Sequence, residues 1–475
     1  MVGILSYGAY VPIWRMERGE IASASNTPSM GGERAVAAWD EDSLTMAVEA
    51  GLDCLRGIDP KEIDGLFFAT TSSPFKEKQA TATIASALDM RKDVFTCDIT
   101  SSLRAGTSAI KAAFDSIKSG SSRKVLVIAA DCRVAMPRSA FEQIYGDGAA
   151  ALLIGDDQMI ADIEVFSSVS DAIPGVWRRE EDLYPKIFEP KLDRLYGLIK
   201  NVGEAVGSLM VKCNLETKDI SKFALYGPDP RSYRDLARFL KIDPRTQLQD
   251  PLFDSVGITG TPHPLLLLIG ALEGARPGDR IVCASYGDGS DAFLIKTTDR
   301  IEQIKGRSRG TGYVSSKKTI PSYGKFADFK KIRETGWPPQ NLKASVVKYW
   351  RDEKWELPLY GMRCKKCGTL QYPISRCCMI CGEKDNHEDI KLSHKGKIFS
   401  FTHDYLLGPG TVPGDGINAA TRIVADMDDG CRLWLEMTDS EVDEVYIDMP
   451  IELTFRLFHQ KGDFRYYSWR ARPVR

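Results

Sequence analysis

Two pairs of cysteines near the C-terminus, Cys364-x-x-Cys367 and Cys378-x-x-Cys381, stand with ten residues between them. Two Cys-x-x-Cys turns that close together supply four thiolates, the tetrahedral all-sulfur set that a structural zinc ion prefers. Gly368 and Gly382 follow the second cysteine of each pair, and glycine suits a turn tight enough to fold backbone N–H groups toward sulfur. Four sulfur ligands leave no open coordination position, so such a metal holds structure and does no chemistry. The plainer alternative is a cluster of reduced thiols without metal. The motif also divides the chain and marks its C-terminal part as a separate module.

Chemistry in the rest of the chain depends on the elements that hold it, and the first 300 residues read as two copies of one α/β unit. In the first copy the strands are Gly65-Leu-Phe-Phe-Ala-Thr, Val94 to Ile99 and Lys124-Val-Leu-Val-Ile-Ala-Ala, with a helix from Ser101 to Ser119. Gly146-Asp-Gly-Ala-Ala-Ala-Leu-Leu-Ile-Gly closes it. The second copy has Phe223-Ala-Leu-Tyr-Gly, Arg280-Ile-Val-Cys-Ala-Ser-Tyr and Gly287-Asp-Gly-Ser-Asp-Ala-Phe-Leu-Ile-Lys. Fully apolar strands between helical patterns imply sheets covered on both faces. The repeated Gly-Asp-Gly turn implies a duplication, two stacked βαβαβ-type layers with a cleft between the halves.

Composition bounds the rest. At 475 residues, two or three domains are expected. With 43% apolar residues and a net charge of −2, there is ample core and no whole-molecule attraction to nucleic acid. Eleven scattered cysteines, four of them in the metal-like cluster, point to a reducing, cytoplasmic setting and away from a disulfide framework. Val2 to Pro12 alternates like a first strand and lacks a signal-peptide cleavage site, and no apolar run is long enough to span a membrane.

These segments resemble the thiolase superfamily, and within it the 3-hydroxy-3-methylglutaryl-CoA synthase-like (ketoacyl synthase III-like) branch. The resemblance is carried by Gly3-Ile-Leu-Ser-Tyr-Gly-Ala-Tyr-Val-Pro, by Glu33 to Ala50 and by Ser285-Tyr-Gly-Asp-Gly-Ser-Asp-Ala-Phe. The C-terminal part resembles the zinc-ribbon and OB-fold proteins that accompany such enzymes, through Val347-Lys-Tyr-Trp-Arg-Asp, the knuckles around Tyr372-Pro373, and a barrel from Gly396-Lys-Ile-Phe to Arg470-Ala-Arg-Pro. The fold implied is α/β: a duplicated, five-layered thiolase-like body followed by a zinc ribbon and a small β-barrel. The expected boundaries are 1–158 and 159–300 for the two halves, 301–345 for a linker or arm, 346–390 for the helical lead and ribbon, and 391–475 for the barrel.

The resemblance also names the positions where catalytic side chains are expected, and all four differ. The family's nucleophilic cysteine falls at Leu103 in Ser101-Ser-Leu-Arg-Ala-Gly-Thr. An aliphatic side chain has no lone pair, whereas a cysteine near a helix N-terminus becomes a thiolate. The family histidine falls at Tyr226, the asparagine at Ile258, and the acid/base glutamate at Thr71. The residues therefore predict a protein that is not a working hydroxymethylglutaryl-CoA synthase. Candidate substitutes are Tyr226 and a displaced His263, then Asp229 and Asp288 on turns. Ser101 and Ser102 read mainly as helix caps, Cys97 and Cys132 as packing residues. An oxyanion-binding N–H near Gly289 and Ser290 needs no side chain.

The implied ligand is CoA or an acyl-CoA, with Arg133, Arg138 and Arg231 foremost among the basic candidates for its phosphates, alongside Lys186, Arg194 and Arg234. The resemblance implies at least a homodimer, paired sheet edge to sheet edge, or a hetero-oligomer with a cysteine-bearing thiolase-type subunit. Two functions follow. One is a subunit without its own nucleophile in a complex that makes or breaks C–C bonds in acyl-CoA. The other is a stand-alone acyl-CoA lyase or synthase working through Tyr226 and His263 by an aldol or decarboxylative route. The joint loss of all four side chains favours the first.

Overall fold

The computed structural model describes residues 1–332, 345–405, 420–461 and 464–475. They form two compact units. The first holds Met1–Ala37, Asp42–Ala85 and Met90–Ile332; the second holds Ala38–Glu41, Ser86–Asp89 and the described part of Arg333–Arg475.

The strands of the first unit are β1 (Gly3–Tyr10), β2 (Trp14–Glu17), β3 (Glu33–Val36), β4 (Gly65–Ala69), β5 (Phe95–Ile99), β6 (Lys124–Asp131), β7 (Gly148–Gly155), β8 (Ala161–Ser170), β9 (Lys222–Leu225), β10 (Arg280–Tyr286), β11 (Gly289–Thr297) and β12 (Lys318–Thr319). Nine of them hydrogen-bond in the order β5-β4-β6-β7-β1-β8-β11-β10-β9. The duplication is visible in the pairing. In the first half β4 runs parallel to β6, then β7 and β1 follow antiparallel. In the second half β9 runs parallel to β10, then β11 and β8 follow antiparallel. The halves meet where Gly3 and Ile4 pair with Asp162 and Ala161, so the two layers share a hydrogen-bonded seam.

The helices that complete the layers are α1 (Ser43–Cys54), α2 (Ala105–Lys118), α3 (Lys200–Cys213), α4 (Pro230–Phe239) and α5 (His263–Gly274). α1 packs on β1, β6 and β7, and α3 on β8, β10 and β11, one outer layer for each half. α2 and α5 touch strands of both halves and form the central layer. That position explains a helix as apolar as α5, whose Leu265, Leu266, Leu267 and Leu268 are all buried. α1 is fixed at its start by Asp42, which accepts from Leu44 N–H and Thr45 N–H, while Thr45 Oγ1 accepts from Asp42 N–H.

Residues 301–332 pack into the first unit: β12 pairs with β2, and the buried Lys330 ammonium bonds both oxygens of Asp147 at 2.9 Å. The remaining residues of the expected arm, 333–344, lie outside the described residues.

The second unit opens with α6 (Val346–Glu356) and a three-stranded ribbon of β13 (Tyr360–Cys364), β14 (Leu370–Gln371) and β15 (His387–Lys391). A five-stranded sheet follows: β16 (Lys395–Asp404), β17 (Ala420–Met427), β18 (Arg432–Glu436), β19 (Pro450–Lys461) and β20 (Phe464–Pro473). Its order is β18-β17-β16-β19-β20. Thr438 N–H just past β18 donates to Ala471 O on β20 at 2.8 Å, nearly closing a barrel. Ile398, Ile423, Leu433, Phe455 and Trp469 fill its interior.

Candidate functional site

Three of the four positions where family side chains were expected, Leu103, Tyr226 and Ile258, belong to one apolar cluster. Leu103 sits in the turn between β5 and α2 and packs against the apolar cluster that contains Tyr226, Ile258 and Tyr286. Its loop is pinned to the second half by Arg104, which contacts Asp291 at 3.3 Å and donates to Val169 O at 3.0 Å. Thr107 and Ser108 donate to the same Asp291 carboxylate at 3.0 and 3.1 Å. Gly287 completes the approach: a Cβ there would lie 2.9 Å from Ser102 Oγ and 3.0 Å from Leu103 N. The second Gly-Asp-Gly turn therefore touches the position where the nucleophile would stand.

Thr71, at the expected glutamate position, is held by Asp131 at the end of β6. That buried carboxylate accepts from Thr71 N at 2.7 Å, Thr71 Oγ1 at 2.9 Å and Ser72 Oγ at 2.8 Å. It also accepts from Thr70 Oγ1 at 3.0 Å and from Thr261 N at 2.8 Å, which ties the start of α5 to β4 and β6. Asp131 is a structural knot that sequence reasoning missed. Its donors come from residues 59 to 130 positions away, so no local pattern marks it.

Tyr226 and His263 are brought together, edge to face, with ring centroids 6.0 Å apart and an interplanar angle of 90°. Burial pushes the Tyr226 phenol well above its usual range, opposed by the Arg133 guanidinium. Tyr226 thus carries its proton at neutral pH. Burial lowers His263 to about 3, so the imidazole is neutral. Its Nδ1 lies 3.5 Å from both Thr259 N and Thr259 Oγ1, and Nε2 has no partner among the described residues.

The basic candidates separate. Arg133 is buried, with its guanidinium 4.1 Å from the centre of the Tyr145 ring. It lies buried near Tyr226, and not at a solvent-facing surface. Arg138 and Arg231 are exposed. Arg138 has φ +68° and donates its backbone N–H to Glu142 at 2.8 Å. Arg231 Nε lies 3.9 Å from Asp235 on α4. Arg194 pairs with the same Asp235, and Lys186 contacts Asp182 at 2.5 Å.

The remaining candidates have structural uses. Asp229 caps α4 by accepting from Arg231 N, Ser232 N and Ser232 Oγ. Ser102 Oγ donates to Gly287 O at 3.1 Å and accepts from Arg104 N–H at 3.5 Å, so it supports the turn just ahead of α2, whose own N-cap position, Arg104, makes no side-chain cap. Cys132 is pushed up to about 12 by burial and then by Asp147, and burial also raises Cys97. Neither thiol is poised as a nucleophile. Asp193 and Tyr286 were not foreseen. They are hydrogen-bonded and buried beside Tyr226, in a pairing 93 positions apart in sequence.

In the second unit the four cysteines close as their spacing requires. Cys364 Sγ and Cys381 Sγ are 3.7 Å apart, Cys367 Sγ and Cys378 Sγ 3.6 Å, and all four lie within 4.8 Å of one another. A tetrahedron with metal–sulfur bonds of ~2.3 Å has its sulfurs roughly 3.8 Å apart, so the set fits a zinc ion. Each knuckle turns through a glycine at positive φ, +74° at Gly368 and +69° at Gly382. Their N–H groups bond the carbonyls of Cys364 and Cys378, so here they close the turns and do not face sulfur.

Residues 97–172 match the family model for 3-oxoacyl-[acyl-carrier-protein] synthase III, and residues 358–387 match the ChsH2 rubredoxin-like zinc ribbon domain. The hydroxymethylglutaryl-CoA synthase of Methanosphaera stadtmanae is 32% identical over 341 residues, covering 70% of this chain and 98% of that protein. The corresponding enzyme of Methanocaldococcus jannaschii is 31% identical over 342 residues, covering 70% and 99%. A solved HMG-CoA synthase complexed with CoA superposes with a TM-score of 0.64 at 16% identity, over 72% of this chain and 94% of that one. PksG, an HMG-CoA synthase from Bacillus subtilis, gives 0.61 at 19% identity, over 73% and 92%. With the sheet order and these relatives together, the chain belongs to the hydroxymethylglutaryl-CoA synthase family of the thiolase superfamily and carries a C-terminal zinc-ribbon domain.

Proposed function

We propose that this chain binds an acyl-CoA and makes or breaks a carbon–carbon bond in it by an aldol-type route that forms no acyl-enzyme. One observation carries the reading. Tyr226 and Tyr286 of the second half share a cluster with the aliphatic Leu103, and Arg133 and Asp131 of the first half act electrostatically on Tyr226, so groups able to hold an enolate come from both halves of the duplication. An aldol step joins C2 of a thioester to a carbonyl carbon through an enolate. It needs donors for the enolate oxygen and a base, but no covalent attachment. Tyr226, protonated and backed by Arg133, suits the donor role. The neutral His263 imidazole, edge to face with Tyr226, offers its unpartnered Nε2 as a further polar atom. CoA as ligand is supported by the CoA-bound relative, and Arg138 and Arg231 remain the exposed candidates for its phosphates.

The four-cysteine cluster is proposed to hold one zinc ion with a structural role, since all four positions are sulfur.

A second reading has its own support. In it the chain is a subunit whose cysteine-bearing thiolase-type partner carries the nucleophile. β5 is an edge strand with an exposed Phe95, the kind of edge that pairs with another chain. The two readings separate when this protein alone, a cysteine-bearing partner alone, and both together are offered a panel of acyl-CoA esters. Turnover by this protein alone supports the aldol reading. Turnover only in the mixture supports the subunit reading.

A further inference from the structure

We propose that Asp193 and Tyr286 form the proton-transferring pair of this site; the inference rests on the aldol-type reading and adds the base which that reading requires. Tyr286 ends β10 and is followed directly by Gly287, the residue packed against Leu103 N. The Tyr286 hydroxyl donates to Asp193 Oδ1 at 2.5 Å. Asp193 opens a π-helical turn, Asp193–Ile199, that leads into α3. Such i→i+5 turns are rare and recur at functional sites, because they rotate one side chain out of the helical register.

Space around the pair is kept free of side chains from two directions. A Cβ at Gly197 would lie 2.0 Å from Tyr286 Oη, and one at Gly175 would lie 2.6 Å from Asp193 Oδ1. Both partners are nearly buried, at 5% exposure for Asp193 and 6% for Tyr286. Burial raises the Asp193 carboxyl above its usual range, with Asp288 adding to the effect and the Tyr286 hydrogen bond opposing it. Tyr226 belongs to the same buried cluster as Tyr286 and interacts with it electrostatically, so the donor and the pair are neighbours. A carboxylate raised toward neutrality and bonded to a phenol is suited to take up a proton and return it.

The step balances without an oxidant or reductant. In the cleavage direction a 3-hydroxyacyl thioester gives its hydroxyl proton to Tyr286 Oη as Tyr286 passes its own to Asp193. The C2–C3 bond breaks, its electron pair moves into the thioester enolate, and C3 becomes a carbonyl. The proton then returns through Tyr286 to C2, releasing an acyl-CoA and an aldehyde or ketone. Asp193 acts through Tyr286 and is a positioning and proton-holding residue.

The test uses the full-length protein and its Asp193→Asn, Tyr286→Phe and Gly197→Ala variants, with folding checked by circular dichroism. Each folded variant is expected to lose roughly 10²-fold in kcat. Combining Asp193→Asn with Tyr286→Phe should cost little more than either alone, because the two act as a unit. The wild-type rate should fall as pH drops through the raised Asp193 pKa, and Asp193→Asn should flatten that limb. An infrared carboxylic-acid band that persists above the usual carboxylate range and vanishes in Asp193→Asn reports the held proton independently of turnover. Absence of turnover by the wild type overturns the aldol reading and this role with it. Wild-type turnover that folded Asp193→Asn and Gly197→Ala leave unchanged in rate and pH profile overturns the pair alone.

Discussion

The two candidate sites of this molecule are built on opposite principles. In the zinc ribbon, four ligands come from 18 consecutive residues, Cys364 to Cys381, and two glycine turns bring the sulfurs within bonding range of one ion. In the nine-stranded unit, the candidate groups are gathered from the ends of β4, β6, β9 and β10, the π-helical turn and α5, across more than 200 residues from Thr71 to Tyr286. A local site is fixed by spacing and tolerates little change. A long-range site is fixed by the fold, so its side chains can be exchanged while its shape persists. This chain carries an intact four-cysteine set, and has leucine, tyrosine, isoleucine and threonine at the four positions where the resemblance led us to expect catalytic side chains.

The largest effect is expected where the site is local. Replacing Cys364, Cys367, Cys378 or Cys381 by serine should abolish zinc binding. The lost metal-binding free energy, on the order of 10–16 kcal/mol for small zinc modules, should unfold β13 to β15. Metal analysis of freshly purified protein is expected to give about one zinc per chain, and Cys377→Ser should leave it in place. Hydrogen exchange would show the ribbon amides losing protection in Cys381→Ser while those of β6 and β7 keep theirs. Loss of protection in β6 and β7 as well would break the contrast between the two regions.

A smaller effect, on rate more than on stability, is expected in the long-range site. Tyr226→Phe removes the enolate donor and should lower turnover by roughly 10²-fold, while costing only about 1 kcal/mol of stability. Chemical denaturation run beside the assay separates the two. A stability loss large enough to explain the rate would reduce Tyr226 to a packing residue.

The smallest expected effect is on pH dependence. His263 and His394 are both lowered to about 3, chiefly by burial. Between about 3 and the ordinary histidine value near 6.5, the unfolded chain binds protons that the folded one refuses. Unfolding free energy should therefore fall as pH falls through that window, and recover as pH rises above it. His263→Phe should flatten the slope contributed by the first unit. An unchanged slope would mean that His263 is protonated in the fold.

Legibility followed the same division. The knuckles, the two Gly-Asp-Gly turns and the apolar strands were readable because each is a short pattern with a physical meaning. The apolar run Leu265 to Leu268 could be read as a buried helix, though not as part of the layer shared by both halves. Arg133 read as an exposed phosphate ligand from its charge, yet it is buried on Tyr145, where an aromatic face and neighbouring acidic groups offset the cost of desolvation. Asp131 and Asp193 gave no sign in sequence, because their hydrogen-bond partners are fixed only by the assembled sheet. The one local hint was glycine: Gly197, within a helical segment, costs helix stability unless something must approach closely, and what approaches is Tyr286 Oη.

The central claim is that carbon–carbon chemistry occurs here without an acyl-enzyme. Its most direct test is intact-mass measurement of the full-length protein, rapidly quenched during turnover of a panel of acyl-CoA esters that includes acetyl-CoA and acetoacetyl-CoA. The account predicts that this protein alone converts at least one ester while its own mass stays unchanged. A stoichiometric acyl adduct on Ser101, Ser102 or Cys97, or conversion only when a cysteine-bearing partner is added, would contradict it.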